Sequence, residues 1–258
     1  YCIGLVCGHL KSDYFAKAEA WESGVPLDKI ARVDFRHKTP GSPASDYAVE
    51  VRRTDGGQPI IKRTAELAVT NWGLGYFKYN ACDYCDDVLA ETADVTFGDA
   101  WIPKYVSDGE GCNVIIVRNQ AVLDLFERHH DELMLHDSNS DEVYQSQAGG
   151  FRHRRQGLAY RLYVHEKRGE WTPTKRVKPS LEGISEQRQH IYAMRTTLKN
   201  ESFVAFREAV RSGNFDVFIK HMRVFVRQYR RINVPFQKRV IRKFKAIVKR
   251  CMRIIRKS

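Results

Sequence analysis

Cys82 and Cys85 stand three apart in the stretch NACDYCDDVLAETADVTFGDAW, residues 80–101. One tight turn can bring two sulfurs at C-x-x-C spacing within a few ångströms, a geometry that serves zinc, iron–sulfur clusters and dithiol redox chemistry alike. The flanking Asp86-Asp87 opposes ionisation of a nearby thiol, which counts against a thioredoxin-like dithiol. A structural zinc site wants a second close pair. The other pair available, Cys2 and Cys7, is five apart on a strand-like run, where positions of different parity face opposite ways. Cys7, at the end of that run beside Gly8, is the better placed of the two. Cys2 reads first as a small buried apolar residue.

Other residues could serve a cofactor or an acidic ligand. Asp34, Arg36 and Lys38 alternate with Phe35 and His37, so they share one strand face and could present cations to a phosphate, or else form a solvated strand edge. His9 follows the Cys7-Gly8 turn and could donate to a cluster sulfide or serve a structural role. Gly98 and Asp99 end a strand, where glycine lets backbone approach a ligand and a carboxylate can orient a ring nitrogen or ribose hydroxyl. The loop SDGEGCN, residues 107–113, is glycine-bearing but lacks GxGxxG or Walker spacing. Trp72, Tyr76, Phe77 and Tyr79 precede the cysteine pair and could shield a cluster or simply pack the core. His129, His130 and His136 read as surface residues, since no second ligand set accompanies them. No catalytic residue is assigned.

The elements that position these residues follow from periodicity. YCIGLVCGH reads as a buried strand, and SDYFAKAEAWESG as a helix ended by Gly24. KIARVDFRHK is a strand, and DYAVEVRRTDGGQPIIKRTA a hairpin turning at Asp55-Gly56-Gly57. ADVTFGDAW and CNVIIVRN are strands, the second leading into the helix QAVLDLFERHHDEL. Residues 139–185 are polar with no clean period, though RRQGLAYRLYVHEKRG can be helical. Helical patterns then cover about 186–211, 214–230 and 236–257, with Pro235 suited to the first turn of the last. The expected fold is mixed α/β, a mixed sheet with flanking helices followed by a helical basic C-terminal region.

Bulk composition bounds the function class. A chain of 258 residues with 43% hydrophobic content can bury one large or two modest cores. Lys and Arg interrupt every apolar run, so no spanning helix is expected. Six cysteines are too few for a disulfide scaffold, and the opening YCIGLVCGHL is not a secretory signal, which together point to a reducing compartment. The same opening reads as the continuation of a longer chain. The net charge of +12 is uneven: residues 217–258 hold 15 Lys or Arg and no acid, while residues 1–216 hold 28 basic and 31 acidic side chains. An anionic partner therefore belongs to the tail. Within it, Val240, Ile241, Phe244, Ile247, Val248, Cys251, Ile254 and Ile255 recur at steps of three and four among cations, an amphipathic helix suited to an anionic membrane surface or a partner protein more than to nucleic acid.

The motifs LVCGH, DFRHK, CDYCDDVLAETADVTFGDAW and DGEGCNVIIVRN, in this order, resemble the C-terminal domain of the coenzyme F-420 hydrogenase/dehydrogenase beta subunit family over roughly residues 1–130. The resemblance implies an iron–sulfur flavoprotein oxidoreductase subunit, passing electrons between a 4Fe–4S cluster, FAD and an organic substrate or coenzyme. Use of the deazaflavin coenzyme itself does not follow, because flavin-containing members need not use it. Carried over residue by residue, Cys7, Cys82 and Cys85 match cluster cysteines. The family's further cysteine, in a Gly-x-Pro-Cys turn, would precede Tyr1, and Cys2 is the substitute within this sequence. Cys112 is not a family position and is read as structural. His9, Arg36, Lys38, Gly98 and Asp99 are the cofactor-binding candidates. The implied division is 1–135 as the family domain, 136–185 as a connecting region and 186–258 as the basic helical tail. The implied partner is an electron-donor or acceptor subunit, and the implied location is cytoplasmic, with the tail at the inner membrane face. The rival reading is a zinc-stabilised module whose basic tail holds an anionic membrane, polymer or nucleic acid.

Overall fold

The structure, a computed structural model, describes residues 1–233, so the amphipathic stretch 236–258 lies outside the described residues. Two compact units divide at Gly183 and Ile184. In chain order the first runs β1 (Ile3–Leu5), α1 (Tyr14–Glu22), β2 (Ile30–His37), β3 (Ala48–Arg53), β4 (Ile60–Arg63) and β5 (Val95–Asp99). It continues with α2 (Pro103–Val106), β6 (Asn113–Val117), α3 (Gln120–Arg128), α4 (Ser140–Arg154) and α5 (Gln156–Lys167). Of residues 136–185, read from sequence as a connecting region, 136–183 fall in this first unit and supply two of its helices.

The expected mixed α/β architecture is present as two three-stranded sheets. One is antiparallel, in the order β2-β3-β4, with its second hairpin turning through Gly56 and Gly57, both at positive φ. Glycine is needed there because side-chain-bearing residues rarely adopt that conformation. Central β3 buries Val49 and Val51 against Ala20 and Val25 from α1 and its exit, and Ile30, Val33, Ile60 and Leu67 close the cluster. Gly24, also at positive φ, ends α1 as the sequence indicated.

The other sheet has the order β1-β5-β6, with β1 parallel to β5 and β6 antiparallel to it. Here the expectation of a buried first strand is corrected. β1 is an edge strand, and only Gly4 points inward, so close to Ala90 that a Cβ on it would lie 2.5 Å from the alanine Cβ. Strand parity then turns Ile3 and Leu5 outward, leaving them 72% and 70% exposed.

The second unit, described through Asn233, is a helical hairpin of α6 (Glu186–Ser212) and α7 (Phe215–Asn233). Ser185 caps the start of α6 by accepting from the Arg188 N–H, and Gly213 ends it in the left-handed conformation. Phe206 and Phe218 meet edge to face in its core.

α1 carries one misfit, Glu19, which is buried with its Oε2 lacking a hydrogen-bond partner among the described residues. Burial pushes this carboxyl up to about 8, against the attraction of Lys11. The folded chain thus keeps a proton that the unfolded chain releases near 4.5. Stability is fully present below that value and declines as pH rises toward about 8, by up to about 1.4 kcal/mol per pH unit. Glu19→Gln is expected to flatten this decline, as read by denaturant melts at a series of pH values. An unchanged slope contradicts a protonated Glu19.

Candidate functional site

The cysteine region is built from two chain segments that lie side by side. Residues 10–12 run against 77–79: the Ser12 N–H donates to the Phe77 carbonyl at 2.9 Å and the Tyr79 N–H to the Leu10 carbonyl at 3.2 Å. Phe77 holds φ of 56°, an unfavourable conformation for a bulky residue, and its full burial enforces it. Beyond this bridge, the Leu10 N–H donates to Cys82 Sγ at 3.3 Å and the Cys7 N–H to the Val88 carbonyl at 3.1 Å. Cys85 is held from elsewhere. Arg154, at the end of α4 and 5% exposed, donates through Nη1 to Cys85 Sγ at 2.7 Å and to the Asp87 carbonyl, and through Nη2 to the Gly8 carbonyl at 2.9 Å. Cys7, Cys82 and Cys85 are thereby gathered around residues 7–10.

The acidic flank behaves differently from its sequence reading. Asp86 pairs with Lys175 at 3.2 Å and Arg176 at 2.9 Å, and Arg176 reaches Glu91 as well. Burial would raise the Asp86 carboxyl, but hydrogen bonds from these two cations outweigh it and hold the group below its usual range. Arg155 adds a further contact to Glu91 at 2.9 Å, and Arg161 donates to the Asp83 carbonyl at 2.9 Å. Arg154 is the cation in direct contact with Cys85, and the Asp86 carboxylate is held by Lys175 and Arg176 rather than free.

Cys2 does not join the group. Its N–H donates to Asp94 Oδ2 at 2.6 Å and its carbonyl accepts from the Asp94 N–H at 3.0 Å, at the opposite end of β1. At about 3.3 Å per extended residue it lies more than about 10 Å from Cys7, too far for both sulfurs to reach one centre. It is also exposed, against the expectation of a buried residue. Two of the three gathered sulfurs accept N–H donors, a chemistry that fits thiolate ligation. Among the described residues, no group of three or more His, Cys, Asp or Glu side chains is arranged to hold a metal ion, so the fit is one of donor type rather than of convergence.

A second feature opens at the other side of β5. A pocket of about 380 Å³ lies between the end of β2 with its following loop and the connection from β5 to β6. Arg36, Lys38 and Asp99 line it together. The Arg36 guanidinium lies 4.8 Å from the Tyr47 ring centre and 5.3 Å from that of Trp101, and 3.3 Å from Asp99 Oδ2. Lys38 is loosely paired with exposed Glu110 at 3.7 Å. Gly109 packs on the Ser42 carbonyl, where a Cβ would come within 2.3 Å, so the 107–113 loop lies against the loop after β2 and contributes to the pocket lining. Cys112 also lines the pocket, its thiol raised by burial and by Asp108.

Two cofactor candidates fall outside this pocket. His9 stacks on Trp72 at 4.7 Å beside the cysteines. Gly98 faces Val6, and a Cβ on it would lie 2.3 Å from the valine Cβ, so glycine there serves the β1–β5 contact and not a ligand's approach. That contact fixes the relation of the two features, because Cys7 follows Val6 and Asp99 follows Gly98. Cysteines and pocket thus share the carboxyl edge of a parallel strand pair, where open α/β sheets place their ligands. α4 spans both: Gln147 Nε2 donates to the Asp99 carbonyl at 2.9 Å, and seven residues on, on the same face, Arg154 holds Cys85. Sequence reasoning missed Tyr47, Trp101, Gln147, Arg154 and Arg176. For Arg154 no local signal exists, since its sulfur partner lies 69 residues away.

Residues 1–142 match the family described as the C terminus of the coenzyme F420 hydrogenase/dehydrogenase beta subunit. The chain belongs to this family. Comparison with curated proteins gave no match. Membership makes this a hydrogenase/dehydrogenase beta-type chain, of oxidoreductase class, with other subunits as the expected partners. The matched family domain contains both sheets, Cys7, Cys82, Cys85 and the whole pocket lining. Gln147, Arg154, Arg155, Arg161 and Arg176 lie beyond it. No described helix is long and apolar enough to cross a membrane.

Gly98→Ala is expected to overpack the Val6 contact and lower stability by about 1–3 kcal/mol, with a matching fall in thermal midpoint. A melt indistinguishable from wild type contradicts the assigned role of Gly98.

Proposed function

We propose that this chain is part of an iron–sulfur flavoprotein subunit that passes electrons between a 4Fe–4S cluster, FAD and an organic substrate or coenzyme. The observation that carries the reading is that the segments bearing Cys7, Cys82 and Cys85 and a cationic pocket with aromatic residues in its lining lie at one edge of the β1–β5 pair within the family domain. Cys7, Cys82 and Cys85 would hold the cluster, with a fourth ligand other than Cys2. When bound, the cluster supplies single-electron transfer and the flavin links it to pairwise chemistry.

The protein's own part is placement and charge. Arg36 and Lys38 offer cations to a phosphate or carboxylate, with Arg36 held near the Tyr47 and Trp101 rings and paired with Asp99. The pocket volume falls within the range that suits a small anionic substrate or one end of a dinucleotide. His9, stacked on Trp72, serves the cysteine side by keeping residues 7–10 in place.

Anaerobically purified protein is expected to be brown and to contain iron and acid-labile sulfide. Cys7→Ser, Cys82→Ser and Cys85→Ser should each lose most of the iron, whereas Cys2→Ser retains it. Colourless protein carrying stoichiometric zinc would reject this reading in favour of the zinc-stabilised module.

The basic C-terminal region is proposed to rest on an anionic membrane surface. In support, α7 exposes Lys220, Arg223, Arg227 and Arg230 along one stripe, and the sequence beyond it adds further cations with an apolar face. The chain should co-sediment with vesicles rich in phosphatidylserine and lose this on deletion of 236–258. Equal sedimentation with and without those residues contradicts the assignment.

A further inference from the structure

We propose that Glu110 is a built-in competitor for the anion site of the pocket. Its carboxylate stands at Lys38 where the anionic group of a ligand would sit, and it thereby favours a doubly charged phosphate monoester over a carboxylate. This role rests on the reading of the pocket as an anion site and involves neither the cysteines nor a cofactor.

The charged residues lining the pocket are Arg36, Lys38, Asp46, Asp99 and Glu110. Asp46 is engaged by Arg63. Asp99 accepts from the Arg36 guanidinium at 3.3 Å, and its carbonyl accepts from Gln147. Both of these carboxylates are therefore tied to partners of their own. Lys38 and Glu110 form the remaining pair, 3.7 Å apart, with 91% of the Glu110 side chain exposed. At that distance the contact falls outside the usual hydrogen-bond range, and an exposed pair of this kind contributes little and exchanges readily.

The loop backbone is held while the Glu110 side chain is not. Asp108 Oδ1 accepts from the Glu110 N–H at 3.0 Å, the Asp108 carbonyl accepts from the Gly111 N–H at 3.1 Å, and Gly109 lies against the Ser42 carbonyl. Gly111, at φ of 81°, brings its backbone beside Lys38, where a Cβ would lie 3.8 Å from Nζ. Displacing Glu110 from Lys38 thus takes a rotation of its own side chain, with no change in the loop. A ligand carboxylate would replace one single charge with another and gain little. A phosphate monoester brings a second charge and further acceptor oxygens to the same ammonium, so it gains where a carboxylate does not. With Glu110 turned away, the two cations and two carboxylates left in the lining balance.

The test is equilibrium dialysis of the full chain against radiolabelled inorganic phosphate at fixed ionic strength, with acetate as the competing carboxylate. The site is read as the saturable binding that Lys38→Gln removes, which sets it apart from phosphate held elsewhere on the chain. Glu110→Gln is expected to tighten this binding by about threefold or more. In the wild-type chain, acetate should bind the same site more weakly than phosphate. Asp28→Asn removes an equal charge from an exposed residue before the other end of β2 and should leave the binding unchanged. Unchanged or weaker phosphate binding in Glu110→Gln overturns the role of Glu110, as does an equal gain in Asp28→Asn. Equal affinity for acetate and phosphate overturns the ligand class. If neither the wild type nor Glu110→Gln shows binding that depends on Lys38, the reading of the pocket as an anion site falls as well.

Discussion

The Arg154 guanidinium is a buried cation whose acceptors are a cysteine sulfur and two backbone carbonyls. Those three contacts join the end of α4, the turn after Cys85 and the turn after Cys7, segments that no strand pairing connects. Removing such a group from water is costly without hydrogen-bond partners, and the three acceptors offset part of that cost. Around it, Arg155, Arg161, Lys175 and Arg176 hold the acidic residues of the same loop. Residues 80–94, with little regular structure, thus gain a fixed shape from cations that arrive late in the sequence.

The second constraint is the parallel pairing of β1 with β5. Gly98 allows Val6 to lie directly on the strand, which brings the residue after each to the same edge of the sheet. Cysteines gather to one side and the pocket opens to the other. A bulkier residue at 98 would push the two strands apart, so their close contact rests on one missing side chain. Both features lie within the part of the chain that matches the hydrogenase/dehydrogenase beta-subunit family.

Much of this is legible from local pattern. Alternation and glycine placement locate the β3–β4 hairpin, the end of α1 and the strands flanking the pocket. Arg36, Lys38 and Asp99 emerge as pocket residues because strand parity and strand ends are local properties. What cannot be read depends on distant partners. The expected burial of β1 fails because no described residue covers Ile3 and Leu5 on the sheet face to which they turn. Asp86 reads as a free acid in the sequence because Lys175 and Arg176 lie some ninety residues on. Tyr47 and Trp101 have no periodic signature, and only the folded chain puts both rings against Arg36.

The central claim is that Cys7, Cys82 and Cys85 serve an iron–sulfur cluster rather than zinc or a bare dithiol. X-ray absorption at the iron edge of the anaerobic protein addresses it most directly. The account predicts a first shell of sulfur and short iron–iron scattering, both lost in the Cys82→Ser protein. Iron at background level, or a zinc edge with the same cysteines as ligands, would contradict it.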